Sequence, residues 1–316
     1  MSSNGGRLAV DEPAPGVARL TISNPDRRGA LDRPILDALA RELAELDARC
    51  VIVTGEGAVF SSGYDVSALR GDRAAEEGGA AEEGRAAEEG RAAEEGGGAA
   101  EPGDRSPERG DGATEPGGEA AERGDRVAQR AAGLVANPFE VALEAMDAHP
   151  WPLIAALNGH TIGGGLELAL ACDLRIAAGT ATFAMPPARL GLVYSHTGVQ
   201  RFIDAIGGPR TRELFLTATR IDAPTALAWG LVNRVSEDDR LQEEAIALAA
   251  EIASMAPLAQ RGNKRVIGAL LSARARADEG LVAELMRLRQ QSLLSADFQE
   301  GLRAFAEKRA PEWRGR

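Results

Sequence analysis

Asn158-Gly159-His160-Thr161-Ile162-Gly163-Gly164-Gly165-Leu166-Glu167 is the stretch on which the fold of this chain turns. The apolar run at 153–157 before it has the composition of a buried strand. Residues 166–172 after it read as a helix with one early carboxylate. The glycines between them let a backbone or a ligand come within contact distance, because no Cβ intervenes. The first N–H groups of a helix have no intrahelical acceptor and lie at its positive end. A strand, a glycine turn and a helix start therefore suit negative charge, either a phosphate or an oxyanion that develops during a reaction. The same residues also describe a tight turn whose glycines only permit close packing.

Upstream, Val51-Ile52-Val53-Thr54-Gly55 reads as another short buried strand ending at glycine, and Ala58-Val59-Phe60-Ser61-Ser62-Gly63-Tyr64-Asp65-Val66 comes after it. Here the chain resembles the crotonase (enoyl-CoA hydratase/isomerase) superfamily. That family carries F-S-x-G-x-D, then N-G-x-x-x-G-G-G-x-E-L, then C-D, then P-x-x-x-L-G. This chain has Phe60 to Asp65, Asn158 to Leu168, Cys172-Asp173 and Pro187 to Gly191, in that order. The resemblance covers residues 7–70 and 127–316.

The resemblance implies an α/β fold of the ClpP/crotonase kind, a spiral of ββα turns followed by a C-terminal helical region. The core would occupy 7–70 and 127–206. The helices of 207–316 would cover the active site and mediate trimerisation, as a homotrimer or a hexamer. The implied substrate is an acyl-CoA thioester, with coenzyme A as part of the substrate and no separate cofactor or metal. By motif position, the backbone N–H groups of Tyr64 and Gly164 would polarise the thioester carbonyl. Losing one such donor typically costs about 3 kcal/mol of barrier lowering. The thioester would be bound at Arg28, Ala30, Leu31, Tyr64, Asp65, Val66, Ser67 and Gly164. Arg27, Arg28 and Lys264 are the cations nearest the family's positions for the nucleotide phosphates.

Hydratases of the family hold a water between two carboxylates. The first corresponds to Glu167. The second would stand at position 187, which here is Pro187, and proline carries no proton. Shortly after it stands Leu190-Gly191-Leu192-Val193-Tyr194-Ser195-His196. This segment resembles the L-G-V-P-Y segment of methylmalonyl-CoA decarboxylases within the superfamily, in which the tyrosine faces the acyl group. Those enzymes carry histidine where this chain has Tyr64. The lead expectation is a lyase that decarboxylates a 2-substituted malonyl-CoA, with Tyr64, Gly164, Glu167 and Tyr194 as its catalytic set. Hydration or isomerisation using Glu167 is the alternative, and a non-catalytic acyl-CoA-binding scaffold is a third reading. His149, His160 and His196 belong to no carboxylate or metal-ligand pattern.

The 36 Lys and Arg against 48 Asp and Glu give a net charge of −12, which argues against a nucleic-acid partner. The acidity is local, since residues 71–126 hold 17 Asp or Glu and 7 Arg. Ala-Ala-Glu-Glu-Gly recurs there at 74, 80, 86 and 92, and the segment contains no Val, Ile, Leu, Met or aromatic residue. With nothing to bury, it reads as a disordered acidic insertion. No leader pattern opens the sequence, and no apolar run approaches the roughly 18 residues of a membrane span. Cys50 and Cys172 lie in apolar surroundings and read as buried thiols, which fits a cytoplasmic protein with no membrane partner.

Periodicity predicts a hairpin from 7–10 and 17–22 and strands at 50–54, 153–157 and 174–177. Helices are predicted at 33–46, at 127–148 with an interruption at Asn137-Pro138, and at 166–171. From Gly198 onward the reading is mostly helical: 199–206, 210–217, 224–229, 241–255, 258–271, 282–294 and 298–308.

Overall fold

In the computed structural model the described residues are 5–65, 137–275 and 279–314. The acidic insertion, residues 127–136 of the helix expected after it, Val66 and Ser67 lie outside them. The centre of the fold is a six-stranded sheet. It contains β1 (Arg7–Ala14), β2 (Val17–Ser23), β4 (Cys50–Gly55), β7 (Leu153–Leu157), β9 (Leu174–Ala178) and β12 (Arg234–Ser236), adjacent in that order. β1 and β2 form the expected antiparallel hairpin, and every later neighbour is parallel. All residues of β4 and β7 are buried, which is why both read as unbroken apolar runs rather than alternating ones. β1 is the exposed edge, and its Asp11, Glu12 and Pro13 make it a poor template for further pairing.

A second sheet orders β11 (Arg220–Asp222), β10 (Thr182–Ala184), β8 (His160–Ile162) and β5 (Val59–Ser61). β3 (Ala30–Leu31) and β6 (Gly63–Tyr64) form a separate parallel pair. The chain steps from the large sheet to the small one three times, β4 to β5, β7 to β8 and β9 to β10. After each step comes a helix: α2 (Pro138–Ala148), α3 (Gly164–Ala171) and α4 (His196–Thr217). This is the spiral of ββα turns that the motifs implied.

The helices obey local signals. Asp32 caps α1 (Arg33–Glu45) by accepting from Ile35 N at 3.2 Å, and Ile35, Leu36, Leu39 and Leu43 face the core. Asn137 caps α2 by accepting from Phe139 N at 3.0 Å, with Pro138 in the first turn, so the interruption expected there is a helix start. α4 is broken at Gly207, whose φ of 75° is not helical, and this matches the two helices expected across 199–217. α5 (Ala223–Trp229), α6 (Leu241–Ser254), α7 (Pro257–Ala275), α8 (Glu279–Leu293) and α9 (Ala296–Glu307) complete the described helices. α6 lies on the large sheet, over β2, β4, β7 and β9.

The mostly helical segment 207–316 also holds two short strands. β11 and β12 fall in that segment and pair with β10 and β9. Strands of three residues are too short to establish a period of two, so only their partners reveal them. The small sheet escaped prediction for the same reason.

Glycine fixes how closely β8 approaches β5 within the small sheet. A Cβ on Gly159 would overlap the carbonyl oxygen of Ala58, a backbone atom with nowhere to go. Gly159→Ala is therefore expected to destabilise the fold by at least about 1–3 kcal/mol, the usual range for overpacking. Urea denaturation would show this as a lower midpoint with an unchanged slope.

Candidate functional site

The triple glycine ends β8 and begins α3. Gly163 adopts φ 54°, ψ −123°, a conformation open to glycine alone, and this turns the chain from strand into helix. Gly164 becomes the first helical residue, where N–H groups have no intrahelical acceptor. The Phe60 to Asp65 segment reaches the same place from the other side. Ser61 Oγ donates to the Gly29 carbonyl at 2.7 Å, and Gly63 N donates to Ser61 Oγ at 3.1 Å. Gly63 and Tyr64 then pair with Ala30 and Leu31.

The result is close backbone contact. A Cβ built on Gly164 would stand 3.1 Å from the Tyr64 amide nitrogen and 3.3 Å from the Phe139 ring. A Cβ on Gly165 would lie 2.6 Å from Ser61 Cβ. The two amides singled out in the sequence, 100 residues apart, thus become neighbours. The Phe139 ring packs on Tyr64 with centroids 5.8 Å apart, which makes the Tyr64 side chain a wall of this site.

Arg28, Ala30 and Leu31 come together beside Tyr64 and Asp65. Ser62 N donates to Arg28 O at 3.1 Å, and Asp65 N to Leu31 O at 3.1 Å. Arg28 itself takes a left-handed φ of 53° at the end of a 3-10 turn. Arg27 forms an ion pair with Asp65. Lys264 does not join this group. Its ammonium bonds Asp173 and the Trp151 carbonyl, each at 2.8 Å, near the start of β7 and away from Asn158. Asp173 also accepts from Leu153 N at 2.7 Å, so Lys264 ties into the anchor at the start of β7.

Glu167 lies one turn into α3 with 2% of its surface exposed. The Tyr194 hydroxyl donates to its Oε2. Gly198, in the first turn of α4, makes room for this pair, since a Cβ there would stand 2.6 Å from the Tyr194 ring and 2.7 Å from Glu167 Oε1. Burial pushes the Glu167 carboxyl above its ordinary range. The Tyr194 hydrogen bond, then the charges of Arg201 and Arg289, pull it back, and Glu140 pushes it up again. Burial first, then the charge and hydrogen bond of Glu167, hold the Tyr194 phenol well above its usual value of 10.0. Tyr194 therefore keeps its proton and presents it to Glu167.

Pro187 is buried and opens a 3-10 turn, Pro187–Leu190, so the position expected to hold a second carboxylate has no acid or base. Sequence reasoning missed Gly198, Phe139, Glu140, Arg201 and Arg289. Arg201 forms a two-pronged ion pair with Asp147 of α2, one contact at 2.9 Å, and Arg289 donates to Glu140 Oε1 at 2.7 Å. These residues come from three helices, and no local spacing relates them to Glu167.

His149 and His160 have structural partners. His149 is buried and bonds the Leu43 carbonyl through Nδ1 at 2.9 Å, and burial lowers its pKa. His160 Nδ1 lies 2.7 Å from Thr182 Oγ1. His196 is the first residue of α4 behind the Ser195 cap. Cys50 and Cys172 are free and buried, and burial pushes both thiols to about 12. Among the described residues no helix is long and apolar enough to cross a membrane.

Comparison with known proteins bears on the same residues. The family pattern described as enoyl-CoA hydratase/isomerase matches residues 116–316. Carnitinyl-CoA dehydratases of Proteus mirabilis and Salmonella typhi are each 40% identical over 168 residues, a stretch that makes up 52% of this chain and 64% of theirs. The match thus spans less than two thirds of those relatives' length. A solved structure of methylmalonyl-CoA decarboxylase in complex with 2-nitronate-propionyl-CoA superposes with a TM-score of 0.74 at 25% identity, covering 98% of this chain and 99% of that one. An enoyl-CoA hydratase/isomerase from Pseudoalteromonas atlantica gives a TM-score of 0.70 at 26% identity, covering 97% and 99%.

The Glu167–Tyr194 bond carries a pH signature. A carboxyl whose folded pKa is raised contributes stability at low pH that is lost as pH rises through that pKa. Tyr194→Phe removes the bond that pulls the Glu167 pKa down, so the pKa rises further and the loss deepens. The variant should be less stable by about 1.5–3 kcal/mol on the alkaline side of the Glu167 titration, the usual worth of a hydrogen bond to a charged group. That deficit should shrink as pH falls toward the ordinary carboxylate range. Paired thermal melts of wild type and variant across pH would measure it.

Proposed function

The chain belongs to the enoyl-CoA hydratase/isomerase family, and from that premise we propose that it is a lyase acting on acyl-CoA thioesters, its lead reaction the decarboxylation of a 2-substituted malonyl-CoA such as methylmalonyl-CoA. The observation that carries this reading is the pairing of Glu167 with the Tyr194 hydroxyl, while Pro187 stands where a second carboxylate would complete a hydration site. Water addition to an enoyl thioester needs a base for the water and an acid for the α-carbon. Decarboxylation needs neither at its start. The C–CO2 bond breaks, its electron pair passes to the thioester oxygen, and carbon dioxide leaves. The enolate then takes a proton at the α-carbon.

In this reading the Tyr64 and Gly164 amides receive the thioester oxygen. Fixed donors aimed at developing charge stabilise the transition state beyond the ground state. The start of α3 adds the positive end of a helix dipole at the same point. The Tyr194 phenol retains its proton and can return it to the α-carbon by turning its O–H away from Glu167, the phenolate left behind taking a proton from water as the product leaves. Glu167 orients that phenol by accepting its hydrogen bond. The fold similarity to the decarboxylase supports this assignment.

A second reading is hydration or dehydration with Glu167 as the base. The 40% identity to carnitinyl-CoA dehydratases favours it. The two readings separate on methylmalonyl-CoA and crotonyl-CoA followed by mass. The lead reading expects carbon dioxide from the first substrate, with Tyr194→Phe lowering kcat by about 100-fold or more, within the range for general acid catalysis, and KM changing little. Brisk hydration of crotonyl-CoA that Glu167→Gln abolishes and Tyr194→Phe spares would overturn it.

A further inference from the structure

Arg289 is a charged group at this site that the thioester chemistry leaves unused. It stands on α8, and its guanidinium donates to Glu140 Oε1 at 2.7 Å. Glu140 adjoins Phe139, whose ring flanks the Gly164–Tyr64 contact. One turn further along α8, Ser292 Oγ accepts from Val193 N at 2.7 Å, which ties the same helix face to the loop carrying Tyr194. α8 therefore touches two walls of the site, α2 through Arg289 and the segment before Tyr194 through Ser292. The side chains of Arg289 and Glu140 are 31% and 24% exposed, so neither is sealed in the core. A guanidinium has five N–H donors. Among the described residues, the hydrogen bond of Arg289 uses Nη1 alone.

We propose that Arg289 sets the substrate class by recruiting acyl-CoA esters whose acyl group carries a carboxylate, and that Glu140 limits the strength of that grip. This deepens the decarboxylase reading and rests on it. A planar guanidinium matches a carboxylate with two parallel hydrogen bonds, so it selects a malonyl-type acyl group over an uncharged one. An undamped cation would nevertheless slow carbon dioxide loss. The negative charge leaves the carboxylate for the thioester oxygen, so a strong ion pair would stabilise the starting state more than the transition state. Glu140 offsets the charge of Arg289 while leaving donors to orient the carboxylate. The pair thus captures the acid group without holding its charge in place. Arg289 is a specificity residue and takes no part in bond breaking.

The test uses two unreactive CoA thioethers, one with a carboxypropyl and one with a propyl group, titrated calorimetrically into wild type, Arg289→Gln, Arg289→Lys and Glu140→Gln. Wild type should prefer the carboxylated ligand. Arg289→Gln should lose at least tenfold of that preference with unchanged propyl-CoA affinity, and Arg289→Lys should retain part of it. Glu140→Gln should bind the carboxylated ligand more tightly and, with methylmalonyl-CoA, lower kcat and KM together. An equal preference in wild type and Arg289→Gln overturns the role of Arg289, and a Glu140→Gln variant with kcat undiminished overturns that of Glu140. The thioethers do not react, so the binding result is independent of the decarboxylase reading. Selective binding without turnover of methylmalonyl-CoA would sink that reading and keep Arg289 as an acid-recognition residue. Turnover without selectivity would do the reverse.

Discussion

Close approach at glycines, where no Cβ could fit, is the constraint on which this architecture depends. Gly159 lies against the Ala58 carbonyl, and Gly165 against Ser61. These contacts draw β8 and the start of α3 onto β5 and β6. A protein interior is packed too tightly to absorb even one added carbon against a backbone atom. The closeness that joins these segments also places the Tyr64 and Gly164 amides side by side. Fold stability and the geometry of the candidate site therefore share one cause.

Charge is the second organising feature. A buried carboxylate is costly unless partners surround it. Glu167 has a phenol at hydrogen-bond distance and feels two arginines, each held by a carboxylate of α2: Arg201 by Asp147 and Arg289 by Glu140. The acids of α2 set how much positive charge reaches Glu167. The site is thus an arrangement of paired charges around one buried acid, suited to chemistry in which charge moves a short distance.

The C-terminal segment supports that arrangement mechanically. A Cβ on Gly301 of α9 would stand 2.6 Å from the Leu190 carbonyl, at the end of the 3-10 turn that begins with Pro187. Gly191 packs closely on Asp297. Glu300 is held by Arg309 and the Glu312 amide, and these contacts drive its carboxyl down to about 2. α9 thereby braces the turn that leads to Tyr194, while Ser292 of α8 holds the Val193 amide. The loop that positions the phenol rests on helices from the end of the chain.

The sequence by itself determined the long elements and the chemistry of the motifs. The apolar runs of β4 and β7 and the apolar stripe of α1 are local signals, and the structure forms its elements there. The ordered motifs identified the family, named Glu167 and Tyr194, and exposed the missing acid at Pro187. Only the tertiary structure decided the rest. Strands as short as β8, β10, β11 and β12 carry no period and exist through their partners. The pairing of Lys264 with Asp173, 91 residues away in sequence, is likewise set by the fold. The arginines around Glu167 come from α4 and α8, and their counter-ions from α2. Charge interactions depend on distance in space, which the order of residues along a chain does not encode.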